Sequence, residues 1–196
     1  MPGFVCMHAH GGGGHDFTEC TEEAFRSIIN AHLGHGATSF YPTISSSPFE
    51  KLHQAAQVCE KLMAEPGSPV LGLHIEGPYL NKKMAGEQFA DQVKEIDGQE
   101  YRELVESTRC IRRWDASPEL PGALEFASYL REKGILAAVS HTEAEYDGIR
   151  AAYEAGFTHA AHFYNAMPGF HKRREYKYEG TVESVYLTDG MTVRLF

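Results

Sequence analysis

The chain has 196 residues, with 18 Lys and Arg against 27 Asp and Glu and a net charge of −9. That balance argues against nucleic acid and anionic membrane surfaces as partners, while a locally basic site can still take an anionic small molecule. A 42% hydrophobic share is that of an ordinary globular protein, one large domain or part of a bigger one, and no apolar run reaches membrane-spanning length.

In chain order, the apolar run 2–7 leads to a predicted strand over residues 5–10, ending in His8-Ala-His10. Alternate residues of a strand face the same way, so the two imidazoles lie side by side at its C-terminal end. That is a suitable grip for a divalent metal, and Gly11 to Gly14 let the chain turn sharply beside it. The motif alone fits a pair of packing or capping histidines as well. A helix over 21–34 follows, with Thr21 as N-cap, then a strand over 37–43 and a helix over 47–64. A strand over 70–76, a helix over 97–107 and a strand over 110–116 come next. The remaining elements are a helix over 121–133, a strand over 135–141, a helix over 142–155 and a strand over 159–164.

Strand–helix alternation with strands apolar throughout predicts a parallel sheet buried on both faces. Polar residues fall repeatedly at strand ends: His8 and His10, Glu76, His141 and His162. A (β/α)8 barrel builds its site there. The fold class expected is therefore α/β, an incomplete barrel with about six of eight βα units over residues 1–196. A doubly wound sheet is the alternative, but no GxGxxG accompanies the first strand. His159 and His162 are three apart, so on a strand only one can join the site. His162 is nearer the strand end, and His159 reads as packing. The four dispersed cysteines, with no CxxC and no signal peptide, point to a reducing cytoplasm.

The segments HxH-Gly-Gly, HIEGPYLN at 74–81, Ser140-His141-Thr142 and THAAHFYNAMP at 158–168 occur in an order that resembles the N-acetylglucosamine-6-phosphate deacetylases of the amidohydrolase superfamily. The resemblance implies a metal-dependent hydrolase that removes the acetyl group from an amino-sugar phosphate. It implies that Glu76, His141 and His162 hold the principal metal, and that His8 and His10 hold a second, with Glu76 bridging. One or two divalent ions per chain follow, zinc foremost, with iron, cobalt, manganese or nickel as alternatives. It also implies that Asn165 and Ala166 lie against the sugar phosphate and that Gln88 contacts the sugar. Arg174, or Arg173 in its place, would reach the phosphate of the neighbouring subunit in a homodimer.

The chain departs from that family in two ways. The N-terminal part that joins the C-terminal tail in a small β-sandwich is missing. The ADG-x-H segment and the catalytic aspartate of the TDA motif would lie beyond Phe196. Thr188-Asp189-Gly190 is no substitute: it reads as a hairpin turn between strand-like runs at 181–187 and 192–196. Two other readings stay open, an amidohydrolase acting on a different amide and a non-catalytic metal-binding remnant.

Overall fold

The computed structural model describes residues 3–195, so Pro2 and Phe196, at the ends of two of the runs read above, lie outside the described residues. The chain forms two compact units. One takes the described residues through Glu76 together with Gln99–Arg113; the other takes Gly77–Gly98 and the described residues from Trp114 onward.

In the first unit, β1 (Phe4–Ala9) runs into a glycine-rich hairpin, β2 (Gly11–Gly12) against β3 (His15–Asp16). Glycine is required here. A Cβ on Gly11 would meet the His15 carbonyl at 2.5 Å, and Gly13 and Gly14 have φ of 59° and 86°. The Phe17 amide closes the hairpin on the His10 carbonyl at 2.8 Å. Helix α1 (Glu22–Leu33) starts where expected, the Thr21 hydroxyl accepting from the Ala24 amide. Its buried stripe is Ala24, Phe25, Ile28 and Ile29, with Phe25 edge-on to Phe17 at 4.6 Å. Burial of a side chain such as Phe25 or Ile28 contributes about 1.5–3 kcal/mol.

Next come β4 (Ala37–Ser45), α2 (Phe49–Met63), β5 (Leu73–Glu76), α3 (Gly98–Ser107) and β6 (Ile111–Ala116). The sheet order is β1-β4-β5-β6, and Thr43 and Ser45 stand opposite His74 and Glu76 in parallel register. Residues 70–76 do not form one continuous strand. Val70 makes an isolated bridge to Phe40, and β5 begins only at Leu73, whose amide bonds the Cys110 carbonyl at 2.8 Å. Between them Gly72 approaches the next strand so closely that a Cβ would lie 2.1 Å from Arg112 Cγ.

The first half of β6 belongs to the first unit and the second half to the second unit. There follow α4 (Ala123–Glu132), β7 (Leu136–Val139), α5 (Tyr146–Ala155) and β8 (Phe157–Ala160). A hairpin of β9 (His171–Arg173) and β10 (Tyr176–Tyr178), then α6 (Thr181–Tyr186) and β11 (Thr192–Val193), complete the chain. The sheet order here is β6-β7-β8-β11, with β7 and β11 both parallel to β8. The core of this unit centres on Trp114, stacked 6.0 Å from Tyr79 and edge-on to Phe126 at 5.3 Å.

Further expectations change. The strand expected over 159–164 ends at Ala160, because His162, Tyr164 and Ala166 take left-handed φ of 29°, 80° and 53°, which no strand accommodates. The run 181–187 is a helix and not half of a hairpin. Its β-branched residues favour a strand, but the Glu183 carboxylate accepts from the Gly180 amide at 2.9 Å and Val182 and Val185 bury one helical stripe. The end of the chain then supplies a seventh parallel strand, Thr192 pairing with His159, beyond the six read from the sequence.

Candidate metal centre

Parallel strands end together, so the first unit collects polar groups at the C-terminal ends of β1, β4 and β5. His8, His10 and Glu76 each offer a donor atom, all within 4.8 Å of one another. His10 Nε2 lies 3.0 Å from Glu76 Oε2 and 2.9 Å from His8 Nε2, and His8 Nε2 lies 3.5 Å from Glu76 Oε2. Glu76 is buried. Burial disfavours charge on His10, but the Glu76 carboxylate bonded to it and the nearby Asp16 outweigh burial and hold its pKa above the ordinary histidine value. Two imidazole nitrogens and a carboxylate oxygen converging this closely are an arrangement that a cation satisfies.

In the second unit, His141 and His162 come together just past β7 and β8, ring centroids 4.8 Å apart and nearly perpendicular. Both are buried. His141 Nδ1 lies 2.7 Å from the Met84 carbonyl, and His162 Nδ1 lies 3.0 Å from the Asn165 carbonyl. A carbonyl only accepts, so in the neutral ring Nδ1 carries the proton and Nε2 the lone pair, the tautomer of an Nε2-ligating histidine. The Ser140 hydroxyl sits 3.0 Å from His162 Nε2. Ser117 Oγ holds the exit of β7 by donating to the Ser140 or His141 carbonyl, at 3.0 and 2.7 Å. His141, His162, Tyr164 and Ala166 all have positive φ. Such backbone costs about 1–3 kcal/mol per non-glycine residue and clusters at functional sites.

The remaining sequence candidates are placed as follows. Asn165 is exposed, and its amide bonds the His162 carbonyl at 2.8 Å; the Ala166 carbonyl accepts from the Thr142 amide. Gln88 is half-buried in the same unit, its amide on the Ala85 carbonyl. Arg174 occupies the turn between β9 and β10 with φ of 56°, exposed, its side chain unpartnered among the described residues. Arg173 pairs with Glu145 and lies over the Tyr178 ring at 4.9 Å, so it serves the hairpin itself. His159 Nδ1 bonds Thr192 Oγ1 at 2.8 Å between β8 and β11. Asp189 is exposed in the turn before β11.

Sequence reading missed the hydroxyls beside the histidines, Thr43, Ser45 and Ser140, and the buried Asp115 at the end of β6. The available signal was the same as for Glu76, polar residues ending an otherwise apolar strand.

The amidohydrolase family model matches residues 1–191. This chain belongs to the amidohydrolase family. The N-acetylglucosamine-6-phosphate deacetylase of Lysinibacillus sphaericus is 29% identical across the whole chain, which covers 50% of that relative. An N-acetylgalactosamine-6-phosphate deacetylase of Escherichia coli O157:H7 is 29% identical over 88% of the chain and 46% of the relative. Among solved structures, an aspartate-to-alanine mutant of the Mycobacterium smegmatis N-acetyl-D-glucosamine-6-phosphate deacetylase, in complex with N-acetyl-D-glucosamine-6-phosphate, superposes with a TM-score of 0.90. It is 30% identical, over 99% of this chain and 50% of that one. The chain thus spans about half the length of the relatives it matches, and its fold class is α/β, a partial barrel of the amidohydrolase kind. Amidohydrolases are metal-dependent, and the donor sets above fit a divalent ion. Among the described residues no helix is long and apolar enough to cross a membrane.

Proposed function

We propose that this chain carries the metal-binding half of an N-acetylglucosamine-6-phosphate deacetylase, with zinc as its metal. The observation that carries the reading is the backbone carbonyl facing Nδ1 of both His141 and His162. Two buried imidazoles, each with Nδ1 tied to a backbone carbonyl, keep their Nε2 lone pairs for an electrophile. The resemblance adds Glu76 to the residues that would hold the principal ion. His8 and His10, with Glu76, would hold a second ion.

The reaction is the hydrolysis of an acetamide. Water adds to the carbonyl carbon, the C–N bond breaks, and a proton passes to the leaving amine, giving acetate and the free amino sugar. A divalent ion, when bound, supplies Lewis acidity toward the water and the acetamide carbonyl. His141 and His162 would hold the ion through Nε2, with their Nδ1 protons donated to the Met84 and Asn165 carbonyls. Asn165, Ala166 and Gln88 border the sugar phosphate. Arg174, free at the hairpin tip, reaches the phosphate held by a second copy in a homodimer. The reading gives no residue among positions 1–196 the role of the proton-transferring aspartate. The dispersed cysteines, all reduced in the described residues, suit the cytoplasm.

The test is acetate release from N-acetylglucosamine 6-phosphate and its galacto epimer. It compares the 196-residue chain with a protein extended to the length of the relatives. The extended protein is expected to turn over the gluco substrate, to stop on chelation and to recover with zinc. The shorter chain is expected to be slower by at least the ~10²–10⁴-fold that general acid–base catalysis supplies. Preference for the galacto epimer would move the substrate assignment. Chelator-resistant turnover, or none with either sugar, would overturn the proposal.

A further inference from the structure

We infer that two hydroxyls at the end of β4, Ser45 and Thr43, are positioning residues for the ion held by His8 and His10; this rests on the two-ion reading above. A histidine ligates well only when its ring is turned correctly and its distal nitrogen carries the proton, and a partner at that nitrogen enforces both. Ser45 Oγ lies 2.9 Å from His10 Nδ1, the nitrogen facing away from Glu76. With Nδ1–H donated to Ser45, an ion would take His10 Nε2 in place of the proton that bonds Glu76 Oε2 at 3.0 Å, and His8 Nε2 lies 2.9 Å from the same nitrogen.

Thr43 performs a related task one step further back. It is fully buried, and its hydroxyl has three neighbours: the Ala9 amide at 3.2 Å, the Tyr41 carbonyl at 3.3 Å and His74 Nδ1 at 3.0 Å. The amide only donates and the carbonyl only accepts. With the hydroxyl proton on the Tyr41 carbonyl, the second lone pair of Thr43 Oγ1 accepts a proton from His74 Nδ1. This pins the His74 ring, which lies edge-on to His8 with centroids 4.7 Å apart at 84°. The Ala9 amide is also the peptide between the two histidines of the HxH pair, so the same hydroxyl anchors the backbone that carries them. Residues 43 and 45 alternate along β4 opposite His74 and Glu76, so one strand edge orients the donors of its two neighbours.

The experiment measures zinc stoichiometry and affinity, and the visible spectrum of the cobalt-substituted protein, for Ser45→Ala, Ser45→Thr, Thr43→Val and His10→Ala. Ser45→Ala and Thr43→Val are expected to weaken one of two ions by about 10–100-fold and leave the other unchanged. The cobalt spectrum of the weakened site should change, and Ser45→Thr should restore binding. Thr43→Val keeps side-chain shape, so it separates loss of the hydroxyl from loss of packing. If His10→Ala removes one ion while Ser45→Ala and Thr43→Val bind as the parent does, the inference is wrong and the two-ion reading stands. If His10→Ala still binds two ions, the two-ion reading itself fails. Equal weakening of both ions, or failure of Ser45→Thr to restore binding, would show a purely structural role and overturn the inference.

Discussion

In the protein extended to the length of its relatives, His162→Ala is expected to empty the principal metal site and to lower the rate of acetate release by about 10³-fold or more. The magnitude follows from the several kcal/mol that a metal supplies as Lewis acid, with each ~1.4 kcal/mol worth tenfold. His162 is buried past the end of β8 with its proton committed to the Asn165 carbonyl, and alanine leaves no donor atom in its place. His141→Ala should behave alike, since its Nδ1 is committed to Met84 in the same manner. His159→Ala is the control. It removes a buried imidazole from the same segment, but one whose Nδ1 bonds Thr192 between two strands. It should reduce stability and retain zinc. Loss of zinc and activity from His159→Ala to the same degree as from His162→Ala would show that packing, and not ligation, explains both.

Trp114→Ala is expected to be the most destabilising single substitution in the second unit, by about 3–5 kcal/mol for the lost side chain. The Gly77 carbonyl, which accepts from Trp114 Nε1 at 2.7 Å in a buried position, would lose that partner, adding about 1–3 kcal/mol. Domains of this kind have about 5–15 kcal/mol in total, so the substitution removes a large share of the stability and should lower the urea midpoint markedly. Trp114→Phe should cost much less. It preserves ring contacts with Tyr79 and Phe126 and gives up the Gly77 bond. Trp114 is the sole tryptophan, so urea unfolding must be followed by circular dichroism instead of fluorescence. An unfolding free energy for the alanine variant within about 0.5 kcal/mol of the parent, the scale of ordinary surface substitutions, would remove Trp114 from the centre of that core.

The parallel α/β architecture was legible because buried strands read as apolar runs and helices carry caps, as Thr21 and Gly156 do. That His8, His10 and Glu76 come together, and likewise His141 with His162, was legible because polar residues close otherwise apolar strands. What escaped had specific causes. The helix at Thr181–Tyr186 has strand-like composition and forms because packing of Val182 and Val185 and the Gly180–Glu183 contact outweigh propensity. The end of β8 was misplaced because left-handed φ at His162, a non-glycine residue, leaves no mark in sequence. Ser45 was passed over because β4 was ended at residue 43, two positions before the hydroxyl that faces His10. The pairing of Arg173 with Glu145, 28 positions earlier, left no mark in the sequence.

The most direct measurement is the metal content of the purified 196-residue chain, determined by plasma mass spectrometry after zinc loading and exhaustive dialysis. It is made on the parent, His8→Ala, and the His141→Ala/His162→Ala double variant. Two zinc ions are expected in the parent and one in His8→Ala. The double variant should lack the principal ion. A parent that retains no zinc, or a double variant that retains as much as the parent, would contradict the assignment of His141 and His162 as the principal metal ligands.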